Sequence, residues 1–379
     1  MTIKNITILG SGIMGHGIAQ VSAMAGYKVF LRDIEQKFLD KAMEKIKWSL
    51  QKLSEKNKIT ANEVDTIYSS ITPVVDLRAA TSNTDLVIEA VPEDFKLKEK
   101  VYNELNGMVQ DDVIFASNTS TLPITELSKL TTRPQNFIGV HFFNPPQLMK
   151  LVEVIPGTQT NPKVVEELTH YVQSLNKHPV ICQKDVSGFI VNRIFIPLVH
   201  EALFSLDRDR VSMDVIDSAV KFKLDFPMGI FELADYTGLD VVYKASYEMN
   251  LRDKNVLLMH PKIKELYDNN QLGQKTGKGF YEYKDNNYER VNLTQEKSSQ
   301  YDPLSILGVA ANNAAWLIEN KVCTLEDLNT ALKLGMGLKT EIFELVKNLN
   351  TSQVINRLRE IEMQQGSFYR PNKYLENIK

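Results

Sequence analysis

Two ionisable side chains, His141 and Glu153, lie among apolar residues in the stretch F-I-G-V-H-F-F-N-P-P-Q-L-M-K-L-V-E-V. His141 follows a β-rich run at residues 137–140, and Glu153 lies inside a second such run at 151–155, so the simplest reading is two short strands. Asn144-Pro145-Pro146 cannot continue a ladder, because proline has no N–H and restricts the residue before it. The chain must turn there, and a strand, turn and strand can bring the two side chains together. A carboxylate beside an imidazole fixes its tautomer and raises its basicity, which equips a general base near neutral pH. The competing reading is a strand-end histidine and an unrelated glutamate, and the preceding residues decide against it.

Those residues must supply a scaffold. Residues 3–9 read as a buried strand running into Gly10-Ser11-Gly12-Ile13-Met14-Gly15-His16-Gly17, with a helical segment at 18–25 that stops at Gly26. Gly10 permits the tight turn, Gly12 lets backbone approach a pyrophosphate, and Gly15 lets helix and strand pack closely. Amides at the helix start then hold the anion. A second strand at 27–31 leads to Asp33, about twenty residues on, placed to accept from a ribose diol and repel a 2′-phosphate. NAD is therefore expected over NADP, with the adjacent Arg32 as the one feature that points the other way.

Residues 37–66 are charged and helical in pattern, with Leu39, Met43, Ile46, Leu50 and Leu53 on one stripe. Lys41, Lys45, Lys47, Lys52, Lys56 and Lys58 form the other face, either simply solvated or a grip for a phosphorylated substrate handle. Further strands are expected at 85–90, before a lysine-rich helix, and at 113–116, before Ser117-Asn118-Thr119-Ser120-Thr121. Such a loop at a strand's carboxyl end is where doubly wound sheets bind ligands; its alternative use is to cap the helix near Pro123.

Composition narrows the classes. The 379 residues suggest two or three domains, and a net charge of -3 gives no electrostatic footprint for nucleic acid or a membrane surface. The longest apolar-looking segment, 189–206, carries Asn192, Arg193, His200 and Glu201, so it should not span a bilayer. Two cysteines, Cys182 and Cys323, are too few for a disulfide framework or zinc cluster, and no metal is expected. With a strand almost at the start and no room for a leader, the expected location is cytoplasmic.

Together the glycine run at 10–17, S-N-T-S at 117–120, H-F-F-N-P-P with M-K-L-V-E-V, S-G-F-I-V-N-R at 187–193 and G-Q-K-T-G-K-G-F-Y at 273–281 resemble the 3-hydroxyacyl-CoA dehydrogenase family. The resemblance runs from residue 3 to about Tyr283. It implies that His141 is the general base and Glu153 its partner, with Ser120 and Asn192 hydrogen-bonding the oxygen that changes from hydroxyl to carbonyl. It places NAD against the glycine loop (Gly10, Gly12, Ile13, Met14, Gly15), Asp33, Glu93, Lys98, Ser120, Asn144 and Lys275, and the coenzyme A portion against Ser49 and Lys56. The implied reaction is oxidation of a (S)-3-hydroxyacyl-CoA, or its reverse, with Phe142, Phe143, Met149 and Phe195 favouring short chains such as 3-hydroxybutyryl-CoA.

The fold expected is an α/β Rossmann-type domain at 1–186, a mostly parallel doubly wound sheet closed by a strand at 178–182, followed by an all-α region. In that region Ser187 should cap a helix that Pro197 kinks or breaks. Shifting the chain by 112 residues lays 214–235 over 326–347, with I-F-E-L in both copies. Two related helical units follow, 187–295 and a degenerate 296–379, with a polar linker at 284–300 and a tail at 366–379 expected to be partly disordered. Reading Asp302 in the place of Asn192, the second copy should be catalytically empty. Because single-copy members of the family dimerise through this helical domain, the chain should be a monomer with an internal pseudo-dimer, or a homodimer. No hydratase-like segment precedes the glycine loop, so an enoyl-CoA hydratase is expected only as a separate partner. The alternatives are a sugar-acid (gulonate-type) dehydrogenase on the same framework and a non-catalytic NAD-binding protein; the latter has no need of His141, Glu153, Ser120 and Asn192 together.

Overall fold

A computed structural model describes residues 3–283 and 292–378. The chain divides into two compact units, residues 1–185 and 186–379. In the first, β1 (Asn5–Leu9), β2 (Lys28–Arg32), β3 (Ile71–Val74), β4 (Leu86–Glu89), β5 (Ile114–Ser117), β6 (Phe137–Phe142), β7 (Leu151–Pro156) and β8 (His178–Ile181) form one sheet. Its order is β3-β2-β1-β4-β5-β6-β7-β8, and only β6 and β7 pair antiparallel. The helices are α1 (Ile13–Met24), α2 (Gln36–Glu55), α3 (Ala61–Ser69), α4 (Leu77–Thr81), α5 (Phe95–Leu105), α6 (Ile124–Ser128) and α7 (Pro162–Ser174). The central strands are buried along their length, so they read as continuous apolar runs rather than alternating ones.

Register explains where chemistry collects. Leu9 pairs with Arg32 and Glu89, Glu89 with Ser117, and Ser117 with Gly139, which makes one row across five strands. Parallel strands send their carboxyl ends to one edge. Gly10, Asp33, Glu93, the 117–121 loop and His141 all follow that row by a few residues and therefore share that edge.

The second unit is helical: α8 (Val191–Asp209), α9 (Met213–Lys223), α10 (Ile230–Thr237), α11 (Leu239–Arg252), α12 (Pro261–Asp268), α13 (Gln295–Ser298), α14 (Leu304–Glu319), α15 (Leu325–Gly335), α16 (Ile342–Asn348), α17 (Thr351–Gln365) and α18 (Lys373–Glu376). The starts of α9, α10 and α11 are each followed 112 residues later by those of α15, α16 and α17, so the repeat seen in sequence is a repeat of helices. At that spacing Leu304, not Asp302, stands over Asn192. α8 and α14 pack against each other, and α14 buries Ile306, Leu307, Val309 and Leu317 at 0–1 % exposure, each contributing roughly 1.5–3 kcal/mol. Between them Glu201 accepts hydrogen bonds from Arg208 and Tyr369, and Ser305 meets both Ser205 and Arg208.

Several local expectations need correction. Ser187 caps no helix: α8 starts at Val191, after a turn with Gly188 and Phe189 at positive φ, and the helix continues through Pro197 rather than breaking there. The 117–121 loop does not cap α6, whose first amides, Ile124 and Thr125, donate to Asp185. The tail is folded through residue 378, with Tyr369 and Leu375 buried. Of the expected linker, residues 284–291 lie outside the described residues, while the remainder includes α13 against α9.

His200 in α8 is wholly buried, and the amide of His260 donates to its Nδ1, so Nε2–H must donate to Ser246. Burial, then the neighbouring His260, pushes its pKa down to about 3 from 6.5. A depressed base binds its proton only in the unfolded chain over that interval, so stability is intact above pH 6.5 and falls as pH drops towards 3. Urea midpoints should fall from pH 7 to pH 5 with a loss of about 2 kcal/mol, and His200→Met should flatten that slope. An unchanged slope in the variant would refute this source.

Candidate active site

The antiparallel register of β6 and β7 sets His141 directly across from Glu153. Nδ1 lies 2.7 Å from Glu153 Oε2, with Glu153 at 0 % and His141 at 6 % exposure. A carboxylate partner takes Nδ1–H, which leaves the lone pair on Nε2. The Phe143 ring stands 4.6 Å from the imidazole, and Asn118 accepts from the amide of Phe142, tying the end of β6 to the loop after β5. The 144–149 turn begins with a cis Asn144–Pro145 bond and is held by Lys177, whose ammonium donates to the carbonyls of Pro146 and Met149. Burial, then the charge of Lys150, lowers the Lys177 pKa to about 8.

The loop after β5 is organised by one carboxylate. Glu93 Oε1 accepts from the amides of Ser120 and Thr121 and the hydroxyls of Thr119 and Thr121, with Ser120 Oγ at 3.4 Å. Lys98, 1 % exposed, is clamped at 2.6 Å from Glu89 and 3.3 Å from Glu93. Burial alone would raise the pKa of Glu93, but Lys98 and these donors outweigh it and hold it below the usual value. Burial alone would lower that of Lys98, yet Glu89 and Glu93 raise it. Lys98 is thus held between Glu89 and Glu93, and Glu93 in turn contacts Ser120.

At the amino end the glycine roles follow from space. Gly10 has φ 94°, and a Cβ there would sit 2.7 Å from the Ala90 carbonyl oxygen; one on Gly15 would overlap the Gly10 carbonyl, and one on Gly12 would meet nothing within 4 Å. The open face at Gly12, beside the exposed Ile13 and at the start of α1, is the cradle a pyrophosphate needs. Asp33 is aimed back at this turn, its Oδ2 accepting from Ser11 N and Oγ at 2.7 Å each. Arg32 is directed to the Val75 carbonyl instead. Gly17 carries a role that the fingerprint does not use: a Cβ there would press on Pro146 and Gln147, so α1 can touch the 144–149 turn.

That contact closes a cavity of about 830 Å³ between α1, α2, the turn and residues 174–177. Ser49 and Lys56 both line it, with Lys45, Lys52, Lys150 and Lys177 adding charge and the exposed Trp48 and Leu148 adding apolar surface. Gln20, buried in α1, donates to Ser49 and accepts from Gln147, so it fixes the floor. Sequence reasoning missed Gln20, Lys150 and Lys177 because they belong to segments distant from the lysine-rich helix.

Asn192 and Lys275 belong to the second unit. Asn192 is the second residue of α8; Lys275 lies between Gly273 and Gly277, both at positive φ, and is paired with Asp240. Asp235 accepts from the amides of Phe280 and Tyr281 and the hydroxyl of Tyr283, which folds the K-T-G-K-G-F-Y segment onto α10. Among the described residues, no group of three or more His, Cys, Asp or Glu could hold a metal ion, and no helix is long and apolar enough to cross a membrane.

The family model for the 3-hydroxyacyl-CoA dehydrogenase NAD binding domain matches residues 5–186, and that for its C-terminal domain matches 188–283. The sequence is 42 % identical over 291 residues to mitochondrial hydroxyacyl-coenzyme A dehydrogenase of Sus scrofa, covering 74 % of this chain and 92 % of the relative. It is 38 % identical to a probable 3-hydroxybutyryl-CoA dehydrogenase of Deinococcus radiodurans, covering 73 % and 99 %. The crystal structure of 3-hydroxybutyryl-CoA dehydrogenase from Escherichia coli superposes with a TM-score of 0.88 at 25 % identity, covering 99 % of this chain and 98 % of that one. With its NAD-binding sheet domain and helical second unit, the chain belongs to the 3-hydroxyacyl-CoA dehydrogenase family and is an NAD-dependent enzyme of that family.

Proposed function

We propose that the chain interconverts (S)-3-hydroxyacyl-CoA and 3-oxoacyl-CoA of short acyl length, the 3-hydroxybutyryl and acetoacetyl thioesters above all. The observation that carries this reading is the buried His141–Glu153 pair at the carboxyl edge of the sheet that also presents the glycine turn. Bound NAD supplies the acceptor or donor of hydride. Gly10, Gly12, Ile13, Met14 and Gly15 would hold its pyrophosphate end and Asp33 its ribose, with Glu93, Ser120, Asn144 and Lys275 towards the nicotinamide.

In the oxidative direction His141 Nε2 removes the C3 hydroxyl proton, and Glu153 stabilises the imidazolium that forms. In the reductive direction the same nitrogen returns the proton. Ser120, fixed by Glu93, and Asn192 orient the oxygen that His141 serves. The lysine-lined cavity suits the phosphates and adenine of coenzyme A, a handle that a sugar acid lacks. Phe143, packed on the imidazole, supports the short-chain reading; Phe142 faces the sheet core and Phe195 is buried in α8, so neither would trim the acyl chain from an open position.

NADH oxidation with acetoacetyl-CoA, longer 3-oxoacyl-CoAs and a 3-oxo sugar acid tests the reading; no turnover of acetoacetyl-CoA would overturn it. The double variant Lys52→Glu/Lys56→Glu should raise KM for acetoacetyl-CoA about tenfold or more, with the NADH dissociation constant unchanged. The packing of α14 on α8 further supports a chain that is monomeric, and a light-scattering mass of two tightly held chains would contradict it. Buried Cys182 and Cys323 suit a reducing, cytoplasmic setting.

A further inference from the structure

Helix α8 opens at Val191, directly after the S-G-F-I turn at 187–190. Its second residue is Asn192, and the third, Arg193, is 2 % exposed. The Arg193 amide donates to the Gly188 carbonyl at 2.9 Å, and Nη1 donates to the Ser187 carbonyl at 3.4 Å and to Asp253 Oδ2 at 2.7 Å. One residue thus ties the S-G-F-I turn, the start of α8 and the segment after α11. Over its guanidinium, 3.7 Å from the ring centre, lies Trp316 of α14.

Trp316 comes from the second helical copy. α14 runs antiparallel to α8, so that Ser305 near its start meets Ser205 near the far end of α8, while Trp316 near its own end meets the first turn of α8. The copies have diverged here, because Phe204, the counterpart of Trp316 at the 112-residue spacing, stacks edge-on against His260. We propose that the second copy, itself lacking an asparagine at this place, is a positioning element for the reaction: Trp316 holds Arg193, and through it keeps Asn192 aimed. A planar guanidinium between an aromatic face and a carboxylate has few other orientations, so the first turn inherits its rigidity. Trp316 is a positioning residue, not a catalytic one, and its assignment rests on the reading of Asn192 given above.

Steady-state kinetics on the full chain tests this. Leucine is smaller than tryptophan, so it fits without overpacking and enlarges the cavity of about 350 Å³ that Trp316 borders. Trp316→Leu should lower kcat about tenfold with KM and NADH affinity held, and Trp316→Phe, which keeps a ring face, should stay within about twofold. Asn192→Ala should lose about a hundredfold, and Trp316→Leu added to it should cost nothing more, since the two act in series. Asp253→Asn, of the same size, should reproduce the Trp316→Leu loss and the same non-additivity. Parental kcat in Trp316→Leu beside an impaired Asn192→Ala overturns the proposal alone, as does an equal factor in both backgrounds. Parental kcat in Asn192→Ala overturns the Asn192 reading itself.

Discussion

Replacing His141 by Gln should lower turnover of acetoacetyl-CoA by about a hundredfold or more while leaving the NADH dissociation constant intact. The two readouts separate because His141 stands at the end of β6, two residues beyond the row that ends in Gly139, while the nucleotide turn is built from β1, α1 and β2. Glutamine can reach Glu153 with its amide N–H, so the buried carboxylate keeps a donor and the strands keep their register. What is lost is the second nitrogen and its lone pair. Glu153→Gln gives a partner test: an amide can donate to Nδ1, which moves the imidazole proton to Nε2 and removes the base without removing the ring. A comparable fall is expected there. Parental turnover in His141→Gln would leave the fold and the nucleotide site standing but remove the proposed chemistry.

Where a residue's role is set by its own segment, the sequence displayed it. The glycine run, the strand–turn–strand around Asn144–Pro146 and the strictly spaced helices of the repeat all follow from local chemistry and period. β3 and α4 escaped notice because Ile71–Val74 is four residues long and contains Pro73. A proline is tolerated there because β3 is the sheet's edge strand, a fact that only the topology provides. The capping of α6 by Asp185, some sixty residues on, and the clamp of Lys177 on the 144–149 turn were hidden for the same reason. The lysine-rich α2 was ambiguous until the fold closed a cavity on one side of it: Lys45, Lys52 and Lys56 line that cavity, whereas Lys47 lies over the Tyr68 ring.

Lys98 shows the same limit most sharply, and its removal should produce the largest change in stability. Sequence resemblance puts it against NAD, yet its side chain is 1 % exposed between Glu89 at 0 % and Glu93 at 19 %. Glu89 additionally accepts from Tyr102, Ser117 and the Val91 amide, so it cannot turn to solvent when the lysine is gone. Lys98→Met should therefore destabilise the first unit by about 3–5 kcal/mol, because a buried charge left without its partner costs far more than the intact pair contributes. Adding Glu89→Gln should recover part of that loss, since the amide replaces the stranded charge and can still accept from Tyr102 or Ser117. If Lys98 instead gripped the cofactor directly, the single variant would lower NADH affinity with its urea midpoint unmoved, and the second change would restore nothing. A lowered midpoint that Glu89→Gln partly repairs assigns Lys98 to the scaffold that holds Glu93, and Glu93 to the loop that aims Ser120.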